Sequence, residues 1–169
     1  MPECCLVGGK QERSRRAGTE NVAGIIGLGA AAQLAREKMA AEAARLAPLR
    51  DRLEEGILTA VTGTAINGAR SPRVPNTTNI SFDRIEAESL LIALDLAGMA
   101  VSTGSACSSG TLEPSHVLKA MGFAAHRTQN SIRFSLGAAN TDADIDRVID
   151  VLPGIVEKLR NLTRTVARV

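Results

Sequence analysis

Cys107 stands in a run of small residues, Ser102-Thr103-Gly104-Ser105-Ala106-Cys107-Ser108-Ser109-Gly110. The apolar Met99, Ala100 and Val101 precede it, and Pro114 and Ser115 read as the start of a helix behind it. A thiol on such a loop can be exposed, mobile and reactive, so sulfur chemistry is the first expectation. The attacking species is the thiolate, and a cysteine with the ordinary pKa of ~8.5 is only a few per cent ionised at neutral pH. Gly104 and Gly110 give the segment backbone freedom. The plain alternative is a small cysteine packed in a turn, because free cysteines are often buried. The other thiols, Cys4 and Cys5, are adjacent, cannot easily bridge each other, and have no neighbours to complete a metal site. Three cysteines, an odd number, argue against a disulfide framework and for a reducing cytosol.

The elements that must position such a thiol begin with composition. A chain of 169 residues is long enough for one domain with a sizeable core. Apolar residues make up 44% and charged residues 22%, the balance of a soluble globular protein. Aromatics are 2%, with no Trp or Tyr, so Ala, Leu, Ile and Val must build the core. A net charge of +2 is too small to argue for nucleic acid, and aromatics for base stacking are lacking. No run of ~18 apolar residues is present to span a membrane. Residues 1–9 lack the charged start and apolar centre of a signal peptide. Arg160, Arg164 and Arg168 read as a solvated helix end rather than a phosphate patch.

Residues 8–20 are polar, basic and Gly-rich, which predicts a loop. Asn21 to about Ala47 has helical spacing (Val22, Ile25, Ile26, Leu28, Leu34), with small residues on its early turns that suit tight packing against another element. Pro48 is expected to restart or kink this helix, which continues from Leu49 to Val61. A short strand is expected at 65–67 and another at Thr77–Phe82, with a turn-rich stretch between them. Glu86–Leu96 reads as an amphipathic helix stopped by Gly98, with Glu86, Glu88 and Asp95 on its solvated face. Met99–Ser102 reads as the strand that feeds the cysteine run, and Pro114–Met121 as a helix ended by Gly122. His126 falls in a polar loop, and Ser131–Leu136 alternates as a strand. Thr141 opens a last helix whose acidic start and basic end suit its dipole, with a kink expected at Pro153. Alternating strands and helices after residue 64 give an α/β or α+β sandwich.

Three runs carry a resemblance. Gly8 to Gly29 (GGKQERSRRAGTENVAGIIGLG), Gly104 to Gly122 (GSACSSGTLEPSHVLKAMG) and Ser131 to Gly137 (SIRFSLG) resemble, in register, segments of the cysteine desulfurases of nitrogen-fixation and iron–sulfur-assembly type, in the class V aminotransferase family. The likeness covers nearly the whole chain. It implies an α/β fold, the C-terminal part of a fold-type-I pyridoxal-phosphate (PLP) transferase. Residues 1–20 would be the tail of the large PLP-binding domain, 21–61 the connecting helical region, and 62–169 the small α/β domain.

It also implies a reaction and its residues. The family takes sulfur from L-cysteine with pyridoxal phosphate, releases L-alanine and holds the sulfur as a persulfide. By match, Cys107 is the nucleophile, on a loop of the long, mobile subgroup. Arg133 receives the substrate α-carboxylate, which its guanidinium can fork onto with two parallel hydrogen bonds. Thr19 gives its hydroxyl to the cofactor phosphate of the partner subunit in a homodimer. Thr19 also suits a helix cap, and both roles are compatible. His116, one turn into its helix, is a supporting residue, for that helix or for the charge near Cys107. No metal ligand set is expected. The implied partners are L-cysteine and a sulfur acceptor such as an iron–sulfur scaffold, in the cytoplasm, with no nucleic acid and no membrane.

The Schiff-base lysine of the family has no counterpart here. Lys10, Lys38, Lys119 and Lys158 are the only lysines, and none stands in the family's Ser-x-His-Lys context. Three readings follow: a C-terminal fragment of a desulfurase, one half of a split desulfurase or selenocysteine lyase, or a non-enzymatic persulfide carrier and partner-binding module. The fragment reading is the expectation taken forward.

Overall fold

A computed structural model describes residues 7–69, 72–103 and 115–166, with side chains to residue 162. The segment Thr77–Phe82 alternates polar and apolar residues, and it forms β2, the central strand of a three-stranded antiparallel sheet. Strand β1 (Thr64–Ile66) pairs on one side, with Ile66 opposite Ile80. Strand β3 (Ser131–Ser135) pairs on the other, with Ile80 opposite Ile132 and Asn79 opposite Arg133. Every second residue points the same way, so one face carries Ile80, Phe82, Ile132 and Phe134, all buried. The other carries Asn79, Ser81, Ser131 and Arg133.

The fold is mixed α/β and forms two compact units, one up to residue 40 and one from residue 41. In the second unit the apolar sheet face meets three helices. Leu46, Leu49, Leu53 and Ile57 of α2 (Val22–Ala60), Leu90 and Leu94 of α3 (Ala87–Leu96), and Ile145, Leu152 and Val156 of α6 (Asp142–Val166) join it in one core. Each such side chain, moved from water to the interior, contributes roughly 1.5–3 kcal/mol. Phe82, Phe134 and Met99 add bulk to a core otherwise made of Leu, Ile, Val and Ala.

Helix ends follow their sequence signals. Gly98, at φ 80°, closes α3: its N–H bonds the Asp95 carbonyl at 2.8 Å and the Met99 N–H bonds the Leu94 carbonyl at 2.9 Å. Gly122 does the same for α4 (His116–Ala120), whose Ser115 cap accepts from the Leu118 N–H. Thr141 and Asp144 form a reciprocal cap at the start of α6.

Several expectations are corrected. Pro48 does not restart α2 and Pro153 does not split α6, since both helices run on through them; packing on the core on both sides outweighs the one backbone bond each proline removes. Met99–Ser102 is not a strand; among the described residues its only ladder contact is a bridge between Ser102 and Arg133. His126 lies not in a loop but in a short helix, α5 (Ala125–Gln129), held by the buried Thr128. Within the expected loop 8–20, Gln11–Ser14 forms a single turn, α1, in which Glu12, Arg13 and Ser14 take left-handed φ of 49°, 55° and 64°. Arg160, expected at a solvated end, is half-buried and bonds the carbonyls of Asp83 and Thr62 at 3.1 and 2.9 Å.

Candidate functional site

Arg133 occupies the middle of β3, exposed, on the polar face of the sheet. Its backbone is tied on the outer side by two bonds with Ser102, N–H to carbonyl at 2.6 Å and carbonyl to N–H at 3.1 Å. Ser102 is the residue from which the Cys107 run departs, so the strand bearing the cation also fixes the start of that run. Cys107 itself, with Cys4 and Cys5, lies outside the described residues. The Arg133 guanidinium has no ion pair and no hydrogen bond among the described residues, which leaves a rigidly based cation open to an incoming anion.

Four positions form a row across this face: Asn67, just past β1, then Asn79, Arg133 and Ser102. Asn67 Nδ2 donates to Asn79 Oδ1 at 2.6 Å and to Ser131 Oγ at 2.8 Å. Arg127 of α5 donates through Nε to Asn67 Oδ1 at 2.7 Å and through an Nη to the Ile66 carbonyl at 2.9 Å. Its guanidinium lies 4.3 Å from the ring centre of Phe123, within cation–π range. Sequence reasoning missed this network. The alternation of TTNISF did place Asn79 on the polar face, but the reach of Arg127 from α5 has no periodic signature.

Thr19 is exposed in the first unit, beside Gly18 at φ 92°. It does not cap α2. Asn21 does, with Oδ1 accepting from the Gly24 N–H at 2.9 Å, so the Thr19 hydroxyl is left without a partner among the described residues. The Arg16 guanidinium closes the preceding turn on the Ala17 and Gly18 carbonyls. His116 opens α4 and is exposed.

The fit to pyridoxal phosphate is incomplete. Thr19 offers a free hydroxyl for a phosphate, but all four lysines are exposed. A lysine that forms a Schiff base is normally desolvated to free its amine. Lys158 rides on α6, against the apolar side of the sheet, opposite the face that bears Arg133. The residues described here therefore fit a carboxylate reader and not the covalent anchor of the cofactor.

A second charged cluster joins α2 to the segment before β2. Glu54, buried, binds Arg73 at 2.7 Å and accepts from the Thr78 hydroxyl. Asp51 accepts from Arg50 at 2.7 Å and from Arg73 at 3.2 Å. Burial pushes the Asp51 carboxyl up, but the hydrogen bonds and charges of Arg50 and then Arg73 outweigh it, and its pKa falls below the ordinary 3.8. The Glu54 hydrogen bond, the largest influence, raises the pKa of Arg73 above that of a free guanidinium, against burial, which lowers it.

Residues 6–148 match the family described as aminotransferase class-V. The chain belongs to that family. It is 54% identical over 156 residues to a cysteine desulfurase of Gluconacetobacter diazotrophicus, covering 92% of this chain and 39% of that one. It is 50% identical over 158 residues to the cysteine desulfurase NifS of Azotobacter vinelandii, covering 94% of this chain and 39% of that one. Among solved structures, a NifS-like protein superposes with a TM-score of 0.79 at 32% identity, over 92% of this chain and 39% of that one. The chain thus spans about two fifths of the length of the relatives it matches.

Proposed function

We propose that this chain carries the substrate-reading and sulfur-accepting part of a cysteine desulfurase. The observation that carries the reading is the two-bond bridge between Ser102 and Arg133, which sets the start of the Cys107 run against an open, rigidly held cation. Arg133 takes the α-carboxylate of L-cysteine and fixes its orientation. The Cys107 thiolate bonds to the substrate sulfur as the carbon–sulfur bond breaks. The electron pair of that bond goes to carbon, which takes a proton to give L-alanine, and Cys107 keeps the sulfur as a persulfide. In this family pyridoxal phosphate supplies the electron sink such a cleavage needs. With all four lysines exposed, its covalent anchor is assigned to a segment outside these 169 residues. Thr19 is the candidate for its phosphate and His116 for support of α4.

In this reading residues 1–20 end the large cofactor domain, 21–61 connect, and 62–169 form the small domain. The complete enzyme is a cytoplasmic homodimer that passes sulfur to an acceptor such as an iron–sulfur scaffold. The exposed lysines favour one second reading, a persulfide carrier that takes sulfur from a separate donor.

Co-expression of this chain with an upstream half that bears the lysine tests the proposal by alanine release. Activity is expected of the pair and not of either part. Cys107→Ser should lower the rate at least about a thousandfold. Full activity in that variant refutes the assignment, and an inactive pair whose Cys107 still accepts sulfur from a persulfide donor favours the carrier.

A further inference from the structure

Arg127 can only donate hydrogen bonds, and this fixes every amide in the row beside Arg133. Its Nε donates to Asn67 Oδ1, so Asn67 must present Nδ2 to Asn79 and Ser131. Ser131 gives its own hydroxyl proton to the Arg127 carbonyl at 2.6 Å and is therefore the acceptor toward Asn67. Asn79 must accept through Oδ1. Its Nδ2 is left on the side away from β1, where its neighbour is Arg133.

The backbone brings these two residues close. The N–H and carbonyl of Arg133 both bond to Ser102, so they point away from β2. Arg133 and Asn79 are then a non-hydrogen-bonded antiparallel pair, the closer of the two kinds, with Cα atoms about 4.5 Å apart. The Arg133 guanidinium and Asn79 Nδ2 are donors over the same patch of sheet. Neither has an acceptor among the described residues. Neighbouring donors without an acceptor suit an anion with two oxygens, and a carboxylate is the smallest that an amino acid offers.

We propose that Asn79 is a further substrate-binding residue, donating through Nδ2 to the α-carboxylate held by Arg133. Asn67 and Arg127 are its positioning residues, since together they keep the amide turned donor-side out. A free amide could flip and present its oxygen to the same carboxylate, which would repel it. This rests on the reading of Arg133 given above, and it adds specificity for a planar carboxylate over other anions.

Side-chain NMR of the whole 169-residue chain titrated with L-alanine tests it, because L-alanine carries the same carboxylate and no sulfur. The Asn79 side-chain amide and the Arg133 Nε–H signals are expected to move together on one binding curve. Asn79→Ala should weaken binding about tenfold to a hundredfold, the worth of one hydrogen bond to a charged group. Asn79→Asp should weaken it further, since it sets a second carboxylate against the first. Asn67→Ala should fall between wild type and Asn79→Ala. Equal effects of the alanine and aspartate variants would mark Asn79 as merely structural and overturn the proposal. So would a wild-type titration in which the Asn79 amide stays still, whether or not Arg133 moves. Alanine release by the co-expressed halves is read separately. Activity with a silent Asn79 sinks this inference alone, and paired shifts without activity sink the functional reading alone.

Discussion

Glu54 has only 6% of its side chain exposed, and the two groups that hold it come from different segments, Arg73 from the stretch before β2 and Thr78 from β2 itself. Removing one member of a buried charge pair strands the other. Arg73 is 15% exposed, and its Nε already has no partner among the described residues. Glu54→Ala is therefore expected to cost about 3 kcal/mol in chemical denaturation, and Glu54→Gln less. A loss under about 1 kcal/mol in the alanine variant would show that Arg73 finds water instead. Beside it, Asp51 has a folded-state pKa below its unfolded value. A group depressed in this way contributes stability above its ordinary pKa of 3.8 and loses it as pH falls through the lower folded value. Acid titration of stability should thus show a fall below about pH 4 that Arg73→Ala makes shallower. An unchanged acid limb in that variant would rule Arg73 out as a cause.

Where α2 crosses α6, Gly56 leaves room for Ile149: a Cβ built at Gly56 would stand 2.7 Å from Ile149 Cγ1. Alanine is favoured over glycine inside a helix by roughly 1 kcal/mol, but overpacking costs typically about 1–3 kcal/mol. Gly56→Ala should lower stability by about 1 kcal/mol net, read from the denaturation midpoint. In an Ile149→Ala background the same change should become stabilising, and the absence of that reversal would mean the contact is not the reason for glycine. The sequence made β2, β3, α3 and both glycine-stopped helix ends readable, because period-two alternation and left-handed caps are local signals. It did not reveal that Met99–Ser102 makes only one bridge, or that His126 sits in a helix. Those outcomes depend on which neighbours arrive, Arg133 in one case and the buried Thr128 in the other. Thr19 and Asn21 are both acceptable caps by type, and the fold uses the one directly adjoining Val22.

Over residues 22–40 the side chains of Val22, Ile25, Ile26, Leu28 and Leu34 are exposed, Leu28 at 73%. The Ala- and Gly-rich spacing that predicted tight packing thus finds no partner among the described residues. An apolar surface of this kind drives association. The isolated chain should show concentration-dependent self-association in light scattering, relieved by Ile25→Glu with Leu28→Glu. Monodisperse monomer at high concentration would count against it. The bridge at Ser102 sets a different limit on the molecule, one of contour length. Cys107 follows Ser102 by five residues, and a fully extended chain spans at most about 3.3–3.6 Å per residue. The thiol's leash is therefore roughly 17 Å from the point where Arg133 grips the backbone. In the proposed enzyme a sulfur acceptor has to bring its own reactive atom inside that sphere. The radius of delivery is set by the two backbone hydrogen bonds at Arg133, the proposed carboxylate reader.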